Sequence, residues 1–406
     1  MTIVVSDNVI SSLGFTTEEN YRNVKAGVSG LTNFKDSYGL PEPFMASEID
    51  EARLNEAFEK VNDEYSGVID TFYPNKSRTV RDEMRKLKSD IQYTKLEKAC
   101  IISIAEALKR TTIHPGQDRI QFILSTTKGN IFLLDDNERV KYTREQLYLA
   151  RSAEIISGFF GGLNELFVVS NACVSGAAAL LAAQRELKKG GTKYLIVTGV
   201  DMLSKFIISG FQSFKALSQA PCKPFDANRE GLNIGEAVST MILTERKAAD
   251  CKKGDIALTA GATRNDANHI SGPSRMGDGS YLALKHILKG IDSEEIGFVC
   301  AHGTATPYND EMESVAMTRA GLKNVPTNSL KGYFGHTLGA AGVLESVISV
   351  QELKEGTIVK TLGCETPGVT YPLDIVMENR KTTKHRCIKM LSGFGGCNTA
   401  LLFTKI

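Results

Sequence analysis

The chain has 406 residues, 42% of them hydrophobic and 23% charged, and a formal net charge of +1. That length exceeds what one core usually supports, so it implies two similar lobes or one large layered unit of ordinary globular composition. A near-neutral balance argues against nucleic acid or an anionic membrane surface as partner; no apolar run nears the ~18 residues that span a bilayer, and no secretory signal precedes the first strand. The eight cysteines lack CxxC or zinc-ligand spacing, which points to a reduced, cytoplasmic chain without a metal centre.

In chain order, residues 2–9 read as a strand, and the Ser11-to-Asn20 stretch carries a capping signal into a short helix ending near Gly27. Residues 36–90 are polar, acidic over 48–59 and then basic at Arg78, Arg81, Arg85, Lys86 and Lys88; they read as an irregular surface insertion. Apolar spacing predicts a helix over 91–108, a strand over 121–125 and a loop over 126–130. A buried strand over 166–170 runs straight into Cys173 and an alanine-rich helix that Gly190 and Gly191 stop. Further strands are predicted at 194–200 and 238–244, with a helix within 202–217 and a polar turn from Pro224 to Gly231 between them. The charged stretch 246–254 reads as helical and divides the chain into halves, 1–250 and 251–406. The second half repeats the alternation, with strands at 256–262, 296–301, 387–391 and 400–404 and helices at 281–290 and 339–354. Alternating strands and helices imply an α/β architecture with both sheet faces covered.

Cys173 organises the rest. A cysteine on a sharp strand-to-helix turn meets free backbone N–H groups and the positive end of the helix dipole, both of which favour the thiolate. Lowering its pKa by about one and a half units requires roughly 2 kcal/mol. Three more glycine-rich segments follow plausible buried strands: His302-Gly-Thr-Ala-Thr with Asp310 and Glu313, Lys331 five residues before His336 in Gly-His-Thr-Leu-Gly-Ala-Ala-Gly, and Gly393-Phe-Gly-Gly. A thiolate accepts an acyl group as a thioester, and imidazole N–H groups hold a thioester carbonyl as it becomes an enolate, the arrangement that decarboxylation of a malonyl group needs. A cationic Lys331 balances charge around His336, with Asp310 and Glu313 placed to orient Lys331 or His302. The competing reading is that each histidine merely satisfies a buried hydrogen bond.

These four motifs, in this order, resemble the elongating β-ketoacyl-[acyl carrier protein] synthases. The resemblance spans nearly the whole chain, including Lys215-Ala-Leu-Ser and Lys223-Pro-Phe-Asp-Ala-Asn-Arg-Glu-Gly. It implies a thiolase-like five-layered αβαβα architecture of two similar halves, dimeric, with the acyl pocket against the dimer interface. It implies Cys173 as acyl-accepting nucleophile, His302 and His336 as the decarboxylation pair and Lys331 as supporting cation. The N–H groups of Cys173 and Phe394 match the oxyanion hole, and Phe394 the gating aromatic. Thr304 and Thr306 match phosphopantetheine-binding hydroxyls, and Arg85, Lys86 and Lys215 a landing site for the acidic carrier. No cofactor is implied beyond the 4'-phosphopantetheine of acyl carrier protein.

Three departures stand out. Ala237 follows Gly235-Glu236 where the family commonly has glycine, and Cys397 replaces a threonine; both read as packing changes. Lys128 replaces small or apolar residues beside the acyl pocket. It faces a polar or shortened pocket, a partner subunit, or, most commonly for lysine, solvent. Several functional readings remain open: fatty acid or specialised polyketide and polyene synthesis, as a homodimer or as the active half of a heterodimer with a ketosynthase-like, chain-length-determining subunit. A coenzyme A-dependent thiolase would need Cys397 as second cysteine, and a non-catalytic chain-length partner would usually lack Cys173.

Overall fold

The computed structural model describes residues 1–67, 69–70, 77–115, 119–162 and 165–406. Its core strands are β1 (Thr2–Ser11), β2 (Ile120–Ser125), β3 (Glu165–Val169), β4 (Tyr194–Asp201) and β5 (Ala237–Glu245), then β6 (Ile256–Asn265), β7 (Ile296–Cys300), β8 (Thr327–Asn328), β9 (Arg386–Gly393) and β10 (Cys397–Lys405). Its core helices are α1 (Lys95–Lys109), α2 (Leu149–Phe159), α3 (Ser175–Lys189), α4 (Asp278–Ile287), α5 (Pro307–Arg319) and α6 (Ala341–Glu355).

The strands run β8-β7-β9-β10-β6-β1-β5-β4-β2-β3. From the β1–β6 seam outward, each half therefore has its first, fifth, fourth, second and third strand. The directions repeat too: the first–fifth and fifth–fourth pairs are antiparallel, and the fourth–second and second–third pairs parallel, in both halves. The seam is short, with Thr2 opposite Leu258 and Ile3 opposite Ala257.

Strand alternation sorts the layers. Val9, Ile123 and Val197 of the first half, with Phe298, Cys300 and Leu391 of the second, face a central layer made by α3 and α6. Ile10, Phe122 and Ile196 face α1 and α2; Val299, Ile388 and Met390 face α4 and α5. The result is the αβαβα stack expected from the sequence. Being sandwiched, α6 is buried around nearly its whole circumference, polar residues Glu345, Ser346, Ser349 and Glu352 included. The two central helices meet where neither has a side chain: a Cβ on Gly176 would lie 2.8 Å from the Val343 nitrogen, and one on Gly342 only 2.2 Å from the Ala177 nitrogen.

Two expectations are corrected. The 36–90 stretch is not irregular: it contains helices Glu51–Glu64 and Arg78–Asp90, and residues 68 and 71–76 within it lie outside the described residues. Leu54, Phe58 and Val61, spaced four and three residues apart among charges, bury one helical face beside α1. The charged segment 246–254 is not a helix but an extended link with one 3-10 turn, Ala248–Asp250. Arg246 pairs with Asp255 at 2.8 Å, and the Gly254 N–H donates to the Ile406 carbonyl at 2.8 Å, so chain ends and turn tie each other down. Helices α2 and α5 were not anticipated.

Candidate active site

The predicted nucleophile stands on an elbow between β3 and α3. Ala172 takes φ of 45°, a left-handed conformation that costs a non-glycine residue about 1–2 kcal/mol. Ser175 holds the elbow shut, its hydroxyl accepting from the Asn171 N–H at 2.8 Å and donating to the Ala172 carbonyl at 2.6 Å. Ser175 is the first residue of α3 and Val174 its N-cap. The Val174 and Ser175 N–H groups turn back to Asn171 and Ala172 carbonyls instead of pointing free. Cys173 is 7% exposed, and burial pushes its thiol up to about 11; Lys128, Lys331 and a hydrogen bond from the Phe394 N–H act the other way, and Asp201 adds to the rise. The expectation of a thiol acidified by the helix is therefore corrected: loss of water outweighs the dipole.

The two histidines arrive from the second half. His302 follows β7, His336 follows the short helix Lys331–Phe334 after β8, and their rings meet edge-to-face with centroids 5.0 Å apart. The His336 Nδ1 accepts from the Leu338 N–H at 3.4 Å, which leaves the proton on Nε2. Burial, then the charge of Lys331, holds both imidazoles well below the ordinary histidine range, with His336 and Lys389 adding to it at His302, and Lys389 and Lys128 at His336. Burial and the neighbouring cations thus favour the neutral form of both rings, and His336 keeps an N–H at Nε2.

Their backbones are clamped. Glu313 accepts from the His302 and Gly303 N–H groups, each at 2.7 Å. The His336 N–H donates to the Asn233 carbonyl at 2.7 Å and its carbonyl accepts from Gly235 at 3.1 Å. Glu313 thus orients His302, through the main chain. Asp310 does not orient Lys331 or His302: it accepts from the Phe225 N–H at 2.8 Å and from Asn309, holding the Pro224–Phe225 turn, while burial pushes its carboxyl up to about 7.

Lys331 is 1% exposed and ion-paired to Glu345, whose second oxygen pairs with Lys389. Neither Glu345 nor Lys389 was anticipated, although each left a signal: an acid in the otherwise uncharged run 339–350, and a lysine inside the apolar strand Cys387-Ile-Lys-Met-Leu.

A cavity of about 540 Å³ joins these loops, and Cys173, His302, His336, Thr304, Thr306, Phe394 and Lys215 all line it. Thr304 and Thr306 are hydrogen-bonded at 2.8 Å. Phe394, 38% exposed, stacks on Phe211 and meets Phe214 edge-on. Gly393 lets its loop approach the elbow, since a Cβ there would lie 3.2 Å from the Cys173 nitrogen. Arg85 is elsewhere, paired with Asp70 and Asp82 and lining a separate groove, and Lys86 is its exposed neighbour in the helix Arg78–Asp90. Lys128 is half-buried, with Nζ 3.4 Å from the Thr127 hydroxyl. Ala237 is fully buried and Cys397 packs against the central core. The Cys397 thiol accepts from Asn265 at 3.6 Å and does not line the cavity.

Comparison with known proteins agrees with this arrangement. Residues 3–249 match the model of the beta-ketoacyl synthase N-terminal domain and residues 256–365 that of the C-terminal domain. The chain is 28% identical to a putative mitochondrial 3-oxoacyl-[acyl-carrier-protein] synthase of Schizosaccharomyces pombe, over 99% of this chain and 98% of that one. It is 26% identical to 3-oxoacyl-[acyl-carrier-protein] synthase 2 of Vibrio cholerae, over 100% and 99%. Among solved structures, a ketosynthase in complex with its chain length factor from Xenorhabdus doucetiae superimposes with a TM-score of 0.81 at 23% identity, over 100% and 98% of the two chains. A beta-ketoacyl synthase from Burkholderia phymatum gives 0.80 at 23% identity, over 100% and 99%. With both domain models matched in order across most of its length, the chain belongs to the beta-ketoacyl synthase family.

Proposed function

We propose that this chain catalyses a decarboxylating Claisen condensation between an acyl group on Cys173 and a malonyl group on acyl carrier protein. The observation that carries the reading is the pair of neutral imidazoles in the same cavity as the buried thiol. In the first half, the Cys173 sulfur attacks the acyl thioester; its proton leaves with the carrier thiol and the acyl–sulfur bond passes to the enzyme. The N–H groups of Cys173 and Phe394 hold the oxyanion. In the second, the malonyl carbon–carbon bond breaks, carbon dioxide leaves, and the electron pair stays on the thioester as an enolate held by the N–H groups of His302 and His336. The enolate carbon attacks the acyl carbon, the carbon–sulfur bond breaks, and Cys173 recovers a proton from solvent. The product is a 3-oxoacyl thioester two carbons longer.

Thr304 and Thr306 hold the phosphopantetheine arm along the cavity, and Lys215, at its rim beside Phe214, meets the acidic carrier. The half-buried cation Lys128, whose charge acts on Cys173 and His336, suits a polar or shortened pocket or a ketosynthase-like partner subunit, and so favours a specialised pathway over ordinary fatty acids. A thiolase reading is opposed by Cys397, which does not reach the cavity.

The test pairs partial reactions. Acyl carrier protein should give an acyl mass shift on Cys173 that Cys173→Ala abolishes. His302→Ala or His336→Ala should keep that shift but lower carbon dioxide release on the order of 10²–10³-fold, as for loss of one preorganised donor. Full carbon dioxide release by the histidine variants would defeat the reading.

A further inference from the structure

Lys389 is 0% exposed, and the condensation does not use it directly. Its side chain points from β9 into the central layer, on the same face as Cys387 and Leu391. A buried ammonium is tolerated where it is paired and hydrogen-bonded; here Nζ is ion-paired to Glu345 and donates to the Ala301 carbonyl at 2.9 Å and the Cys300 carbonyl at 3.3 Å.

The Ala301 carbonyl belongs to the peptide whose N–H is that of His302. That one peptide group is held at its oxygen by Lys389 and at its nitrogen by Glu313, at 2.9 and 2.7 Å. The same Glu345 that pairs with Lys389 pairs with Lys331, at the start of the segment that ends in His336. The two ammonium groups thus share the one Glu345 carboxylate, with the Glu313 carboxylate on the other side of the His302 peptide.

We infer that Lys389 is a positioning residue for the decarboxylation half-reaction: its ammonium fixes the peptide that carries His302 and, through Glu345, ties that loop to the one that carries Lys331 and His336. This rests on the condensation proposed above. The charged and titratable groups packed around the His302 loop are Glu313 from α5, Lys331 and His336 from the segment after β8, Glu345 and Glu352 from α6, Cys300 from β7 and Lys389 from β9. Of these, Lys331, Lys389 and His336 oppose a proton on His302. Acyl transfer onto Cys173 uses the elbow and the Phe394 loop, whereas the hydrogen bonds and ion pair of the Lys389 ammonium go to Cys300, Ala301 and Glu345 on the His302 side.

The experiment compares the full-length wild type with Lys389→Met, which keeps the stem and removes the charge, and Lys389→Gln, which keeps a donor for the Ala301 carbonyl. Acylation of Cys173 is read by mass, and carbon dioxide release from malonyl carrier protein is read across pH. Lys389→Met is expected to acylate within twofold of wild type and to release carbon dioxide at least tenfold more slowly. The acid limb of its profile should move to higher pH, because an imidazole with less opposing charge protonates more readily. Lys389→Gln is expected to recover part of the rate with the acid limb still displaced. The inference is overturned if both variants keep the wild-type rate and acid limb, or if acylation and carbon dioxide release fall together in proportion, the mark of a merely structural lysine. Should Lys389→Met not fold, Lys389→Gln decides by the same readouts. A wild type that releases no carbon dioxide refutes the condensation itself, a result seen before any substitution is made.

Discussion

At Cys173 the physics of burial and of the helix terminus pull in opposite directions, and burial wins. The resting thiol, pushed up to about 11, loses its proton to the departing carrier thiolate instead of standing ionised. Alkylation of Cys173 by iodoacetamide should therefore keep accelerating from pH 7 through pH 10, since the thiolate is the nucleophile; a plateau by pH 8, measured by mass spectrometry of the free enzyme, would contradict this. Cys173, His302, Lys331, His336 and Phe394 were legible because each sits in a turn of small residues after a strand, where only backbone approach or chemistry explains the composition; the strand before Cys173, expected to be buried, is instead the half-exposed edge of the sheet, with Phe167 41% exposed. Asp310 was misread because a carboxylate eight residues from His302 gives no sign of whether it meets a side chain or, as here, the Phe225 main chain. Lys389 escaped because its ion-pair partner, Glu345, lies 44 residues away in sequence on another element; Glu345 escaped because nothing in the sequence marks which residue it faces, Lys331 or Lys389.

The crossing of α3 and α6 explains two of the glycines in the motifs around the nucleophile and His336. Gly176 and Gly342 let the helices that begin at the two catalytic loops touch backbone to backbone, which fixes Cys173 relative to His336. Gly342→Ala should lower stability by about 1–3 kcal/mol or more by overpacking. Gly210→Ala, in the helix Lys205–Ser213 with nothing within 4 Å of its added Cβ, should raise it by roughly 0.5–1 kcal/mol. Denaturant melts of both decide; equal effects would show that the crossing is not tight. Nine of the ten core strands were readable to within a few residues, since most are short apolar runs; the two-residue β8 was not. The helices at 51–64 and 78–90 were not, because three large apolar residues per helix among many charges leave a weak periodic signal. Helix α5 was hidden by its near-even mixture of buried polar and apolar positions, among them Asp310, Glu313 and Ser314.

Across the whole molecule, one strand order is used twice, and the third and second strands of the halves supply complementary parts: the nucleophile from β3, the two histidines from β7 and β8. No short sequence repeat betrays this duplication, because the halves share a plan of strand directions and layers rather than side chains. The fold class followed from the alternation and the family resemblance; the shared seam at Thr2 and Ile3 required the structure. Among the described residues no helix is long and apolar enough to cross a membrane. What the assembly is built to do reduces to the coupling of two bonds, one broken in the malonyl group and one made at the acyl carbon. The measurement that tests this most directly is the ratio of carbon dioxide released to 3-oxoacyl product formed when acylated enzyme is given malonyl carrier protein. A ratio of one, abolished in Cys173→Ala, is the predicted result; product formed without carbon dioxide, or no acyl-enzyme with any carrier protein offered, would contradict it.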